Sequence, residues 1–90
     1  MSKIVGVIKR VHFSGKWVEV WFEDYHMGLD GGEGALPYEA SFKAGYLMEA
    51  VSLAGLDDEV LSNGLQGTEL IMEKRGSNYE IDSIRIKKEG

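Results

Sequence analysis

Apolar and polar positions change rhythm several times along the chain. Val18, Val20 and Phe22 alternate with Trp17, Glu19, Trp21 and Glu23, a period of two that predicts a strand with one buried face. Its other face is mixed aromatic and acidic and is expected to point outward or towards a partner. Residues 3 to 13 are rich in β-branched types, and Ser14-Gly15-Lys16 supplies a turn, so the two runs predict a hairpin. Further on, Leu47, Ala50, Val51 and Ala54 recur at helical spacing. With Ser41 as N-cap and Gly55 as terminator, they predict a helix over residues 41 to 54. Asp57 then caps a short turn that Asn63-Gly64 ends in a left-handed conformation. Residues 68 to 74 and 79 to 87 read as a second hairpin around Arg75-Gly76-Ser77-Asn78.

Between the first hairpin and the helix, residues 24 to 37 hold Gly28, Gly31, Gly32, Gly34 and the only proline, Pro37. Little regular structure is expected there beyond a short third strand around residues 25 to 29. The order is therefore strand, strand, short strand, helix, strand, strand, which is α+β. Two architectures satisfy it: a five-stranded Greek-key barrel with a helix between its third and fourth strands, the OB-fold, or a looser antiparallel sheet with one packed helix. Leu47, Met48, Val51, Leu70, Ile71, Met72, Ile81, Ile84 and Ile86 are the expected core.

The segment Gly45-Tyr46-Leu47-Met48-Glu49-Ala50-Val51-Ser52-Leu53-Ala54-Gly55-Leu56, with Leu65-Gln66-Gly67 opening a strand and Asn78-Tyr79-Glu80-Ile81 in the last one, resembles small phage-encoded OB-like proteins associated with single-stranded DNA. The likeness spans roughly residues 45 to 86. It implies a helix ending in Gly-Leu ahead of a Leu-x-Gly strand start, and an OB-like fold.

Ninety residues suffice for one domain, and a core shared by every element leaves stability modest unless a partner, or a further copy in a homo-oligomer, adds to it. The chain has no cysteine, which removes disulfides, thiolate chemistry and cysteine-ligated zinc, and leaves the cytoplasm as the default compartment. The apolar run from Ile4 to Ile8 ends at Lys9-Arg10, far short of a membrane span, and is read as a strand and not a signal peptide. No membrane partner is expected.

The net charge of −5 is unevenly spread. Lys3, Lys9, Arg10 and Lys16 stand against Glu19 alone up to residue 22, whereas residues 23 to 60 are strongly acidic with Lys43 as the lone cation. An acidic whole discourages non-specific nucleic-acid binding, yet a basic face can persist on the strands.

Trp17 and Trp21 share one strand face with Tyr25 close behind, and bases of single-stranded nucleic acid stack on such aromatics within a basic groove. Lys9, Arg10 and Lys16 are placed to supply the charge. The competing expectation puts one or both tryptophans in the core, and Glu19 and Glu23 on the same face would repel phosphate.

The glycine-rich stretch from Met27 to Gly34 lacks the Gly-Lys-Ser or Gly-Lys-Thr ending of a phosphate loop. Although it holds Asp30 and Glu33, it also lacks the calcium-loop pattern, so an acidic loop is expected. His12 and His26 have no specified nucleophile or carboxylate partner. No catalytic residue, metal or cofactor is implied. Two readings follow: a single-stranded nucleic-acid-binding module using Trp17, Trp21, Tyr25, Lys9, Arg10 and Lys16, or an acidic interaction module or inhibitor. The latter would meet a basic host protein, as phage antagonists of host defence do, through Asp30, Glu33, Asp57, Asp58 and Glu59.

Overall fold

The computed structural model describes residues 3–23, 36–76 and 78–87. Five strands, β1 (Lys3–Ser14), β2 (Trp17–Glu23), β3 (Glu39–Lys43), β4 (Thr68–Arg75) and β5 (Asn78–Ile86), accompany a helix α1 (Ala44–Ala54) and a single helical turn α2 (Asp58–Ser62). The fold class is α+β. All ladders are antiparallel, in the order β3-β2-β1-β4-β5. The sheet is open, with β3 and β5 as its two edges.

Both hairpins form where the sequence places them. Gly15 makes the two-residue turn between β1 and β2 at φ 60, a left-handed conformation that costs glycine nothing. The alternation in β2 holds: Val18, Val20 and Phe22 are buried, and Trp17, Glu19, Trp21 and Glu23 lie on the opposite face. Neither tryptophan belongs to the core.

Lys9 is the extra residue of a β-bulge. Ile8 pairs with Phe22 and Arg10 with Trp21, so the register slips by one at Lys9. Before the bulge β1 also pairs with β4, from Lys3 opposite Glu73 to Val7 opposite Glu69; beyond it, among the described residues, β1 pairs with β2 alone. Such an insertion bends the strand and strengthens its twist.

Between β2 and α1 the structure departs from expectation. Ser41 is not a helix cap but an exposed residue of β3, paired with Glu19. The helix starts at Ala44, with Lys43 at the cap position and no side-chain cap bond. Ladder bonds to β2 hold residues 39 to 43 extended and outweigh the local capping preference of a serine. Tyr25, His26, Asp30, Glu33, the expected short strand and the acidic loop lie outside the described residues.

α1 buries Leu47, Ala50 and Val51 and packs mainly on β5, with lesser contacts to β3 and β2. Ala54, expected on that face, is exposed because the helix ends there; Gly55 follows at φ 63, donating its N–H to the Ser52 carbonyl. Met48 and Ile86, expected in the core, are exposed at the rim of α1 and the end of β5. Ile71 is buried but lies outside the main cluster, because it sits on the other sheet face from its neighbours Leu70 and Met72. Asp57 occupies the cap position of α2 without making a side-chain bond.

Two substitutions test this packing. Val51 is 6% exposed, so Val51→Asp buries an unpaired carboxylate and is expected to cost several kcal/mol in urea unfolding; an unchanged midpoint would remove α1 from the core. At Gly6 an added Cβ would come within 2.7 Å of both Leu36 Cδ1 and Phe22 Cδ1. Gly6→Ala is therefore expected to lower stability by about 1–3 kcal/mol through overpacking, although alanine is otherwise the better strand residue. A gain in melting temperature would contradict the close approach of Leu36 and Phe22 to β1.

Candidate functional site

The turn between β1 and β2 is tied to the start of α1. The Ala44 N–H donates to the Lys16 carbonyl at 2.8 Å, and the β2–β3 ladder sets Trp17 opposite Lys43. One backbone bond and one strand pair thus bring Lys16, Trp17, Lys43 and Tyr46 together, although up to thirty residues separate them in sequence. Trp17 is 53% and Tyr46 60% exposed, and the Lys43 ammonium lies 5.8 Å from the Tyr46 ring centre.

Trp17, Lys43 and Tyr46 belong to one wall of a groove of about 560 Å³ that follows the open seam of the sheet. Trp17, Ser41, Phe42, Lys43 and Tyr46 line one side, and Asn78, Tyr79, Glu80 and Ile81 of β5 line the other. A second hollow of about 340 Å³ continues it past Lys16, Ala44 and Gly45. β3 and β5 approach each other without pairing, α1 packs against both, and the groove lies along this unpaired seam.

The local charge is positive despite the acidic whole. Lys16 and Lys43 flank Trp17, and Lys74 stands 5.9 Å from the Tyr79 ring. Glu80 is engaged by Arg75 at 2.9 Å. Glu19, the next outward residue of β2, is set opposite His12 and Ser41. Exposed rings interleaved with ammonium groups can stack flat apolar groups and hold a polyanionic backbone at the same time.

The sequence-predicted site is therefore split. Trp17 and Lys16 belong to the groove. Trp21 shares the face of Trp17 but stands four residues along β2, about 13 Å away at the usual strand rise. It is partly covered, with the Arg10 guanidinium carbon 4.0 Å from its ring centre. Lys9 and Arg10 line a separate hollow with Asn63 and Gln66. Asp57, Asp58 and Glu59 are exposed at the start of α2 and line neither the groove nor its extension.

Sequence reasoning missed Lys43, Tyr46, Asn78 and Tyr79 as lining residues of a site, and Lys74 beside Tyr79. A signal was present: Glu39-Ala40-Ser41-Phe42-Lys43 alternates polar and apolar as β2 does, and reading it as a strand would have set Lys43 beside Trp17.

Among the described residues no group of three histidine, aspartate or glutamate side chains could hold a metal ion, and no helix is long and apolar enough to cross a membrane. Comparison of the chain with protein-family models, with curated proteins and with solved structures gives no match.

Proposed function

We propose that this protein binds single-stranded nucleic acid in the groove along the β3–β5 seam. Trp17 is the principal base platform, Tyr46 and Tyr79 flank it, and Lys16, Lys43 and Lys74 contact the backbone. The observation that carries this reading is the meeting of the exposed rings of Trp17 and Tyr46 with Lys16 and Lys43 along one open groove and its extension, where neither lysine has a carboxylate partner among the described residues. Stacking on a ring is indifferent to base identity because every base has a π-face, and ammonium groups follow phosphates without reading sequence. The expected binding is therefore sequence-tolerant.

The strand order supports the same reading. The sheet is open and no ladder joins β3 to β5, but its pairing of β1 with both β2 and β4 and its helix between β3 and β4 are features shared with a five-stranded Greek-key barrel. Barrels of that kind bind oligonucleotides on the face of their second and third strands and with the loops joining strands 1–2 and 4–5. Trp17 and Lys43 lie on that face, Lys16 in the first loop, and Lys74 and Asn78 beside the second.

Titration of labelled single-stranded oligonucleotides at low salt tests the proposal. Trp17→Ala is expected to weaken binding by about 1–3 kcal/mol without unfolding the domain. Lys43→Gln is expected to reduce the slope of log K against log salt by about 0.7, the contribution of one neutralised phosphate on a single strand. No binding at about 100 μM protein, where non-specific binders register, would overturn the proposal. It would leave an acidic interaction module acting through Asp57, Asp58 and Glu59; charge reversal there would then abolish capture of a basic protein partner.

A further inference from the structure

The bulge at Lys9 creates a second site away from the groove. Beyond it β1 no longer pairs with β4, and the turn of residues 63 to 67 comes up beside the strand, held by the Gly67 N–H donating to the Ile8 carbonyl at 2.9 Å. That turn is fixed from within. Asn63, Gly64 and Leu65 donate backbone N–H groups to the carbonyls of Glu59, Leu61 and Val60. Leu65 holds a left-handed φ of 64 with its side chain buried; burial of the leucine offsets a conformation that costs most residues about 1 kcal/mol or more.

Strand and turn border an open hollow of about 440 Å³ lined by Lys9, Arg10, Val11, Asn63, Gly64 and Gln66. The residues that border it include a lysine, an arginine, an asparagine and a glutamine, and among the described residues no aspartate or glutamate borders it. Arg10 is already positioned, its guanidinium carbon 4.0 Å from the Trp21 ring centre. A guanidinium held on a ring loses little freedom on binding and keeps its N–H edge available for paired hydrogen bonds to oxygens.

We infer that this hollow is a phosphate-binding site in which Arg10 and Lys9 hold the charge, Asn63 and Gln66 donate to the remaining oxygens, and Trp21 serves as a positioning residue for Arg10. Trp21 thereby has a different role from Trp17: its ring supports a guanidinium where the ring of Trp17 receives a base. The phosphate comes either from a free phosphate or phosphomonoester or from a phosphodiester of the bound strand. The second source rests on the single-strand proposal; the first does not.

The chain has two tryptophans, so Trp17→Phe leaves Trp21 as the sole indole and a reporter on the Arg10 contact. Titrating that variant with inorganic phosphate, at ionic strength held constant with chloride, is expected to change its emission saturably with a Kd of about 1 mM or tighter. Adding Lys9→Gln or Asn63→Ala, both of which keep Arg10 and Trp21, should weaken the response by about tenfold, as loss of a charge-assisted or amide hydrogen bond does. A flat titration, or one unchanged by both substitutions, overturns the inference.

The second arm uses the unsubstituted chain and oligonucleotides with and without a 5′-phosphate. Tighter binding of the phosphorylated strand, erased by Lys9→Gln, assigns the site to a terminal phosphate. Equal binding, with a salt slope that Lys9→Gln lowers by about 0.7, assigns it to a phosphodiester. Phosphate binding without oligonucleotide binding refutes the single-strand proposal and keeps the hollow as a free-phosphate site. Oligonucleotide binding with a silent phosphate titration refutes the hollow and keeps the groove.

Discussion

One strand, β1, serves both hairpins. Its first half pairs with β4 and β2 lies along its other side, so the two hairpins can share a core only if β1 bends between them. A bulge bends the strand that carries it, and β1 carries one at Lys9, just past the end of its ladder with β4. Gly6, in the half of β1 that pairs with β4, lets Leu36 and Phe22 close over the strand. Ile8, Val18, Val20, Phe22, Leu70 and Met72 then come together on the inner face with Leu47 and Val51 of α1. Burial of these side chains is the dominant favourable term, and all of it depends on a β1 that turns.

The seam follows from the same constraint. With β1 at the centre, β3 and β5 become edges, and α1 packs between them from one side without a ladder joining them. Exposed edges invite unwanted pairing with other chains. Here charge protects them: Glu39 and Lys43 on β3, and Glu80, Asp82 and Arg85 on β5, are exposed. The gap that remains is the groove, walled by Trp17, Lys43, Tyr46 and Tyr79. Its chemistry is a by-product of how the sheet stays open.

Much of the fold could be read from the sequence because local periodicity decides it. The alternation in β2, the glycine turn of the first hairpin, the second hairpin and the buried stripe of Leu47, Ala50 and Val51 needed no knowledge of neighbours. β3 was hidden, since five residues including Ala40 carry a weak strand signal and Ser41 suits a helix cap; only the ladder with β2 settles the matter. Met48 and Ile86 are as apolar as their buried counterparts, and only long-range packing leaves them exposed.

The site was half legible for a similar reason. Trp17 and Lys16 declare themselves, whereas Lys43, Tyr46 and Tyr79 join them through contacts distant in sequence. The bulge has the same effect at Trp21: without it Lys9 would stand opposite the indole, and with it Arg10 does. A one-residue slip decides which basic side chain meets the Trp21 ring, and no periodicity in the sequence records it.

Ligand is proposed to enter at the seam between β3 and β5. Backbone amide chemical shifts of the labelled protein, recorded while a short oligothymidylate is added, test it most directly. The account predicts changes concentrated at residues 16 to 18, 43 to 46 and 78 to 81, with residues 57 to 61 undisturbed. Changes confined to residues 57 to 61, or spread without focus over the sheet while the seam stays silent, would contradict it.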